Sequence, residues 1–210
     1  MLGIRGNRLK APVNNYKANY VLCDLSGVAS ATKTLYPGVY IVRAQGAGGG
    51  GGRNGYFGNG QGGGSGAGFE GKLKVWRKIP VAVSTGAGGA QQANGTDTII
   101  GGIWTLGAGL QGSTENAAHI ANAGPYTFNS SADWGIVSYK VAQNGNQGLE
   151  ATASGDFVSG GNSVLTNSGG GMGTANATAP GAGGGGGYQW HFDGGSGGVG
   201  ECLIKFISLY

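Results

Sequence analysis

The sequence predicts an all-β, glycine-rich, β-sandwich-like domain with packed polyglycine-II helices and long loops, and little or no α-helix. Three observations predict it. Of 210 residues, 50 are glycine, roughly three times the ordinary share of ~7%. Those glycines are gathered into runs that alternate with apolar/polar stretches of strand period. No stretch carries a convincing amphipathic helical pattern, and each interior glycine would cost a helix ~1 kcal/mol. Hydrophobic residues still make up 39% of the chain, which opposes low-complexity disorder. With only 5 prolines and no Gly-X-Y period, collagen is excluded.

Residues 1–18 are polar and basic, and form an N-terminal attachment arm in which Arg5, Arg8, Lys10 and Lys17 are the expected contacts. Residues 19–210 form one glycine-rich β domain. Its first strand is expected at 19–25. At 36–45 the Pro37-Gly38 turn signal precedes Val39, Ile41 and Arg43 alternating with Tyr40, Val42 and Ala44. At 69–77 Phe69, Gly71, Leu73 and Val75 make an inner face, and Glu70, Lys72, Lys74 and Trp76 an outer one. Residues 79–84 follow, with Pro80 marking an edge or strand-end position. Strands at 99–106, 135–142 and 201–209 complete the set, and 114–122 is the one helical candidate. About 104–150 reads as an insertion, in which Trp104, Tyr126, Phe128 and Trp134 would form a small core of their own.

An ordered glycine run needs a geometry without buried side chains. Polyglycine II supplies it: three residues per turn, ~3.1 Å rise, and backbone N–H and C=O pointing outward. Helices of this kind satisfy one another when packed side by side, provided that side chains are missing at the contacts. The runs at 62–68 and 194–200 fit that requirement, with shorter contributions from 160–161 and 169–171. Dense hydrogen bonding must offset an ordering cost of ~1–2 kcal/mol per backbone residue.

Charge is sparse, at 10% of residues, and uneven. The chain through Lys78 carries a net +9 and the remainder −5. No basic run is present, so a solvated or subunit-facing surface is favoured over nucleic-acid binding. Cys23 and Cys202 belong to no Cys-x-x-Cys pair and are expected as buried thiols. The chain shows neither a secretory leader nor a run of ~20 apolar residues, so an unexported protein without membrane insertion is expected.

Residues 40–47, Tyr-Ile-Val-Arg-Ala-Gln-Gly-Ala, lead into the glycines that end at Gly52. With 81–89 and 197–204, they resemble the glycine-rich domain of phage and prophage tail-fibre and adhesin proteins. The chain also looks like the distal adhesins of T-even-type phages, in which packed polyglycine-II helices present receptor-binding loops at a fibre tip. The resemblance covers roughly 36–210, with a poor fit across 104–150. It implies loops at 53–59, 91–97, 174–180 and 188–193.

Catalytic and cofactor motifs are weak. Residues 66–72 match the first seven positions of a P-loop, yet Leu73 has no hydroxyl for Mg²⁺ and a strand follows. His119 and His191, the only histidines, have no nucleophile placed beside them. Asp97, Asp133, Asp156 and Asp193 are scattered and read as turn residues. No enzyme activity, cofactor or metal is expected. The aromatic interruptions of the glycine runs carry the binding signal, because Tyr, Trp and His make rigid contacts at low entropy cost. Tyr56, Phe57, Tyr188, Trp190, His191 and Phe192 are the candidate receptor-binding residues, and Trp190 and Phe192 serve equally well as caps of a glycine bundle.

The sequence-based expectation is a non-catalytic virion protein, a tail-fibre tip or receptor-binding adhesin. Its partners would be other virion proteins and a host surface protein or glycan, and trimers are common in such systems. A purely structural virion component (decoration, collar or fibre) is the alternative, followed by an ice-binding protein.

Overall fold

The computed structural model describes residues 17–53, 60–113, 126–149, 158–187 and 193–209, and these contain ten strands and no α-helix. One antiparallel sheet has the order β1-β10-β3-β4-β9, from Val21–Ser26, Glu201–Ser208, Gly38–Gln45, Gly68–Val75 and Trp134–Gln143. The other has the order β2-β5-β6-β7-β8, from Ser30–Leu35, Ile79–Ser84, Thr98–Ile100, Trp104–Leu106 and Tyr126–Phe128.

Alternation makes the two sheets into a sandwich. Tyr40, Val42, Phe69, Leu73, Val75, Ile204 and Phe206 from the first sheet share one core with Leu35, Val81, Val83, Ile100, Trp104 and Leu106 from the second. Phe69 is the hinge of that contact. Its ring centroid lies 4.5 Å from that of Trp104 and 6.2 Å from that of Tyr126, spacings typical of favourable aromatic pairs. Glu70, Lys72 and Lys74 fall on the outer face, as their alternation with Phe69, Leu73 and Val75 requires.

Three expectations need correction. Trp104 and Trp134 belong to the common core, with Tyr126 and Phe128 packed against it, so the middle of the chain has no separate core. Residues 99–106 are a hairpin, because Gly102, at φ +75, turns the chain and the N–H of Ile103 bonds the carbonyl of Ile100 at 2.9 Å. Strands β2 and β8 were not expected; Ser30–Leu35 is mostly small and polar. Pro80 stands at the start of β5, as expected, where β5 is open on one side because β6 pairs only with Val83 and Ser84. The helical candidate at 114–122 lies outside the described residues.

The glycine runs continue the strands upward into a bundle. The N–H groups of Gly46, Gly49 and Gly52 bond the carbonyls of Ala67, Gly64 and Gln61 at 2.8–2.9 Å. Those of Gly48 and Gly51 bond Gly198 and Gly195, while Ala47 and Gly50 bond Thr96 and Ala93. Partners thus change with a period of three, the polyglycine-II signature. The carbonyls complete the pattern. Ala47 and Gly50 accept from Gly109 and Gly112, Gly48 and Gly51 from Gly89 and Gln92, and Gly49 and Gly52 from Gly184 and Gly187. The central helix therefore donates to three antiparallel neighbours and accepts from three parallel ones. Residues 46–52, 60–67 and 181–187 are entirely buried.

At the junction between the two layouts, Gln45 is fully buried. Its Oε1 accepts from Ser163 Oγ at 2.8 Å, and its backbone carbonyl accepts from Thr98 Oγ1 at 2.8 Å. Buried polar groups are tolerated here because each finds a partner.

Candidate functional site

The bundle has one end on the sandwich and one free end, and the chain reverses at both. At the free end, the exits of three helices close a ring of hydrogen bonds: Gly52 N–H to the Gln61 carbonyl, Gly60 N–H to Gly187, and Gly187 N–H to Gly52, all at 2.8–2.9 Å. Arg53 and Asp193, the residues that leave this ring, pair at 3.4 Å between Nε and Oδ1. The Gln61 N–H also bonds the carbonyl of Ser113, and the Gly62 N–H that of Leu149. The residues that precede 54–59, 114–125, 150–157 and 188–192 therefore gather at one end of the molecule, whereas Tyr126, which follows 114–125, is back in the sandwich beside Leu106.

Two described turns join them. One runs from Ala90 to Ala93, with Gln92 at φ +55; the other runs from Met172 to Ala175, with Gly173 at φ +58. Gln92 is not glycine, and a positive φ is strained for such a residue.

Tyr56, Phe57, Tyr188, Trp190, His191 and Phe192 lie outside the described residues, as do Arg5, Arg8 and Lys10. The residues that bracket the two aromatic segments, Arg53 with Gly60 and Gly187 with Asp193, are brought together. Lys17 is exposed at the opposite pole, where the Asn19 N–H bonds the Phe206 carbonyl at 2.9 Å. The remaining two expected loops are shorter than the resemblance implied. The turns at 90–93 and 172–175 take up only their beginnings, 93–97 and 175–178 run back along the bundle, and the chain turns again at 179–182, with Gly181 at φ +70. Thr96 accepts there from Ala47, and Ala177 donates to Ser196.

Asparagines of those segments and of two others build the bundle edge. Asn94 Oδ1 accepts from the Gln111 N–H, Asn176 Oδ1 from Ser196, Asn144 Oδ1 from Tyr126, and Asn162 Oδ1 from Gly170, at 2.8–3.2 Å. Asp97 Oδ1 does the same for Ala108 at 2.9 Å. An outer helix has no neighbour on one side, and a short side-chain oxygen takes the place of the missing carbonyl. The signal was present in the sequence as Asn or Asp set among Gly, Ala, Ser and Thr.

Elsewhere the surface is divided. The outer face of the first sheet carries Arg43, Lys72, Lys74, Lys140 and Lys205 against Asp24, Glu70 and Glu201, with pairs Arg43–Glu201 at 3.2 Å and Lys140–Glu70 at 3.5 Å. The outer face of the second sheet holds an uncharged groove of about 480 Å³ lined by residues that include Ser30, Thr32, Ala82, Ser84 and Ile99. The P-loop-like stretch runs into β4, with Gly71 and Lys72 inside the ladder opposite Val42 and Ile41, so it forms no phosphate-binding turn. Among the described residues, no group of His, Cys, Asp and Glu could hold a metal ion. Nor is any described helix long and apolar enough to cross a membrane.

No family model matches this chain, and no curated protein is similar to it.

Proposed function

We propose that the protein is a non-catalytic virion component, a tail-fibre tip or adhesin whose free bundle end meets a host surface protein or glycan. The observation that carries this reading is the polarity of the molecule. The described residues that precede 54–59, 114–125, 150–157 and 188–192 lie at one end of the bundle. Lys17 and Leu209, the outermost described residues, lie at the opposite pole. Attachment and recognition are thus separated by the length of the domain, as a fibre tip requires. The bundle suits the task because its backbone groups are internally satisfied, leaving loops free to vary without disturbing the support. The basic outer face of the first sheet lies toward the attachment pole and suits contact with other virion proteins.

The test replaces Tyr188, Trp190, His191 and Phe192 with serine in particles that carry the protein. Assembly should be unchanged, and adsorption to host cells should fall by at least tenfold. Immunogold labelling should place the protein at fibre ends. Labelling spread over a capsid lattice, with adsorption intact, would replace the adhesin by a decoration or collar role.

A further inference from the structure

The outer faces of the two sheets differ in charge. Of the residues in β2, β5, β6, β7 and β8, only Lys33 is charged, and it stands opposite Val81 on the inner side of β2. The outward positions form an uncharged row across all five strands. Ser30 stands opposite Ser84, Ser84 opposite Ile99, Ile99 opposite Thr105, and Thr105 opposite Thr127. Soluble surfaces are ordinarily about 25–35% charged, so a sheet face without one charge is unusual for a surface left to water.

Ile99 is the one large apolar side chain of that row. It is 41% exposed and sits on β6, the middle strand of the five. Beside it lies the hollow of about 480 Å³ that Ile99 lines together with Ser30, Ala82 and Ser84. These three side chains are too short to fill the space next to Ile99, and β6 ends one residue later and turns away through Gly102. A knob and a hole therefore stand side by side on one face. We propose that this face pairs with the same face of a second copy about a two-fold axis beside Ile99, so that the Ile99 of each copy enters the hollow of the other.

Symmetry and charge together select a second copy as the occupant. A two-fold contact requires a surface that complements itself, and an apolar knob next to an uncharged hole meets that requirement with no like charges opposed. The outer face of the first sheet does not. Its five cations outnumber Asp24, Glu70 and Glu201, and two of those carboxylates are already paired with Arg43 and Lys140, so meeting its own copy would press a net positive surface on itself. Five strands about 4.8 Å apart and up to six residues long give the uncharged face roughly 400 Å² per copy, the size of a weak, concentration-dependent contact. Pairing here concerns the sandwich and is separate from what the free bundle end binds.

Sedimentation equilibrium of the purified full chain, run from about 1 to 200 µM, should show the mass rising from that of one chain toward that of two. Ile99→Asp and Thr105→Lys each place a charge at an outward position and should weaken the dimer at least tenfold, with unchanged circular dichroism. Ala82→Leu fills the hollow without adding charge and should do the same. Lys72→Glu, on the opposite face, should leave the dimer intact. A single-chain mass at every concentration would overturn the pairing, whether the face then binds ice, read as thermal hysteresis, or another virion protein, read by co-sedimentation. A dimer that survives both charged variants lies elsewhere on the molecule and equally overturns it. Unchanged affinity in Ala82→Leu would overturn the knob-and-hole geometry.

Discussion

In the sandwich, chains are kept apart by what they carry; in the bundle, they touch because they carry nothing. Phe69, Leu73, Trp104 and Ile204 fill the space between sheets, and all are at most 1% exposed. A few residues beyond the end of β3, a single added Cβ has nowhere to go. At Gly48 it would land on the carbonyl oxygen of Ala182, at Gly50 on that of Ala90, and at Gly51 on that of Gly185. The first region is stabilised by removing apolar area from water. The second has almost none to remove and relies on saturation, since every N–H from Gly46 to Gly52 has a carbonyl partner. Each such bond contributes only ~0.5–1.5 kcal/mol net, so the bundle depends on having all of them. A sandwich tolerates a cavity, but a bundle does not tolerate a methyl group.

The harshest way to break this comparison is Gly51→Ala. The obstacle is backbone, which no rotamer can clear, so the variant should lose more than about 5 kcal/mol, or fail to fold, beyond the ~1–3 kcal/mol of ordinary overpacking. Gly27→Ala is its control. Gly27 has φ +74 and open space around its Cβ position, so it should lose only ~1–2 kcal/mol from conformational strain. Urea melts of both separate glycine needed for packing from glycine needed for its dihedral. Similar losses in the two would remove the distinction.

On the sandwich side, Phe69→Ala should cost about 3–5 kcal/mol through transfer and cavity terms. It deletes a fully buried ring that touches both Trp104 and Tyr126. The lost free energy should show as a lower urea midpoint in a protein that still folds. If Phe69→Ala proves more damaging than Gly51→Ala, the bundle is the more forgiving region and the comparison is reversed.

These two regions also differed in how much of them the sequence disclosed. Alternation at Val39–Gln45 and Phe69–Val75 located central strands to within a residue or two, because one buried face fixes period and register together. Ser30–Leu35 escaped because its inward positions include Ala31 and Lys33, which carry little apolar contrast. The bundle was legible as a principle, since only a Cβ-free chain can pack so closely. Its neighbour map was not. Nothing in a run of identical residues says whether Gly50 meets Ala93 or Gly64, and that is settled by the strands that anchor each run. The candidate site followed the same division. Its placement at one end of the molecule emerges from the helix ends, whereas Asn94 and Asn176, within the loops that the resemblance implied at 91–97 and 174–180, complete the bundle edge.

Polar substitutions at the junction and at the edge sharpen the contrast on a smaller scale. Ser163→Ala leaves the buried Oε1 of Gln45 without its 2.8 Å donor and should lose about 1–3 kcal/mol. Asn176→Ala removes an acceptor from the Ser196 N–H at an exposed edge. Water can reach that N–H, so the loss should be ~0.5–1 kcal/mol. Hydrogen exchange at Ser196 should accelerate in the same variant while amides at 46–52 stay protected. Faster exchange throughout 46–52 would mean that the edge asparagines hold the interior as well as the rim.

The smallest effect is expected where the molecule looks most conventional. Lys140 Nζ lies 3.5 Å from Glu70 Oε1 across β4 and β9, with the lysine side chain 76% exposed. Coulombic attraction there is screened, and the long lysine must be ordered to make the pair, so Lys140→Ala should change stability by no more than about 0.5 kcal/mol. The two strands are already joined along Gly68–Val75 and Trp134–Gln143 by their ladder, broken only at two bulges. A loss above ~1 kcal/mol would show that this ion pair closes the bulge between Glu70 and Gly71 rather than decorating it. The first sheet would then depend on its charged outer face as the bundle depends on its bare backbone.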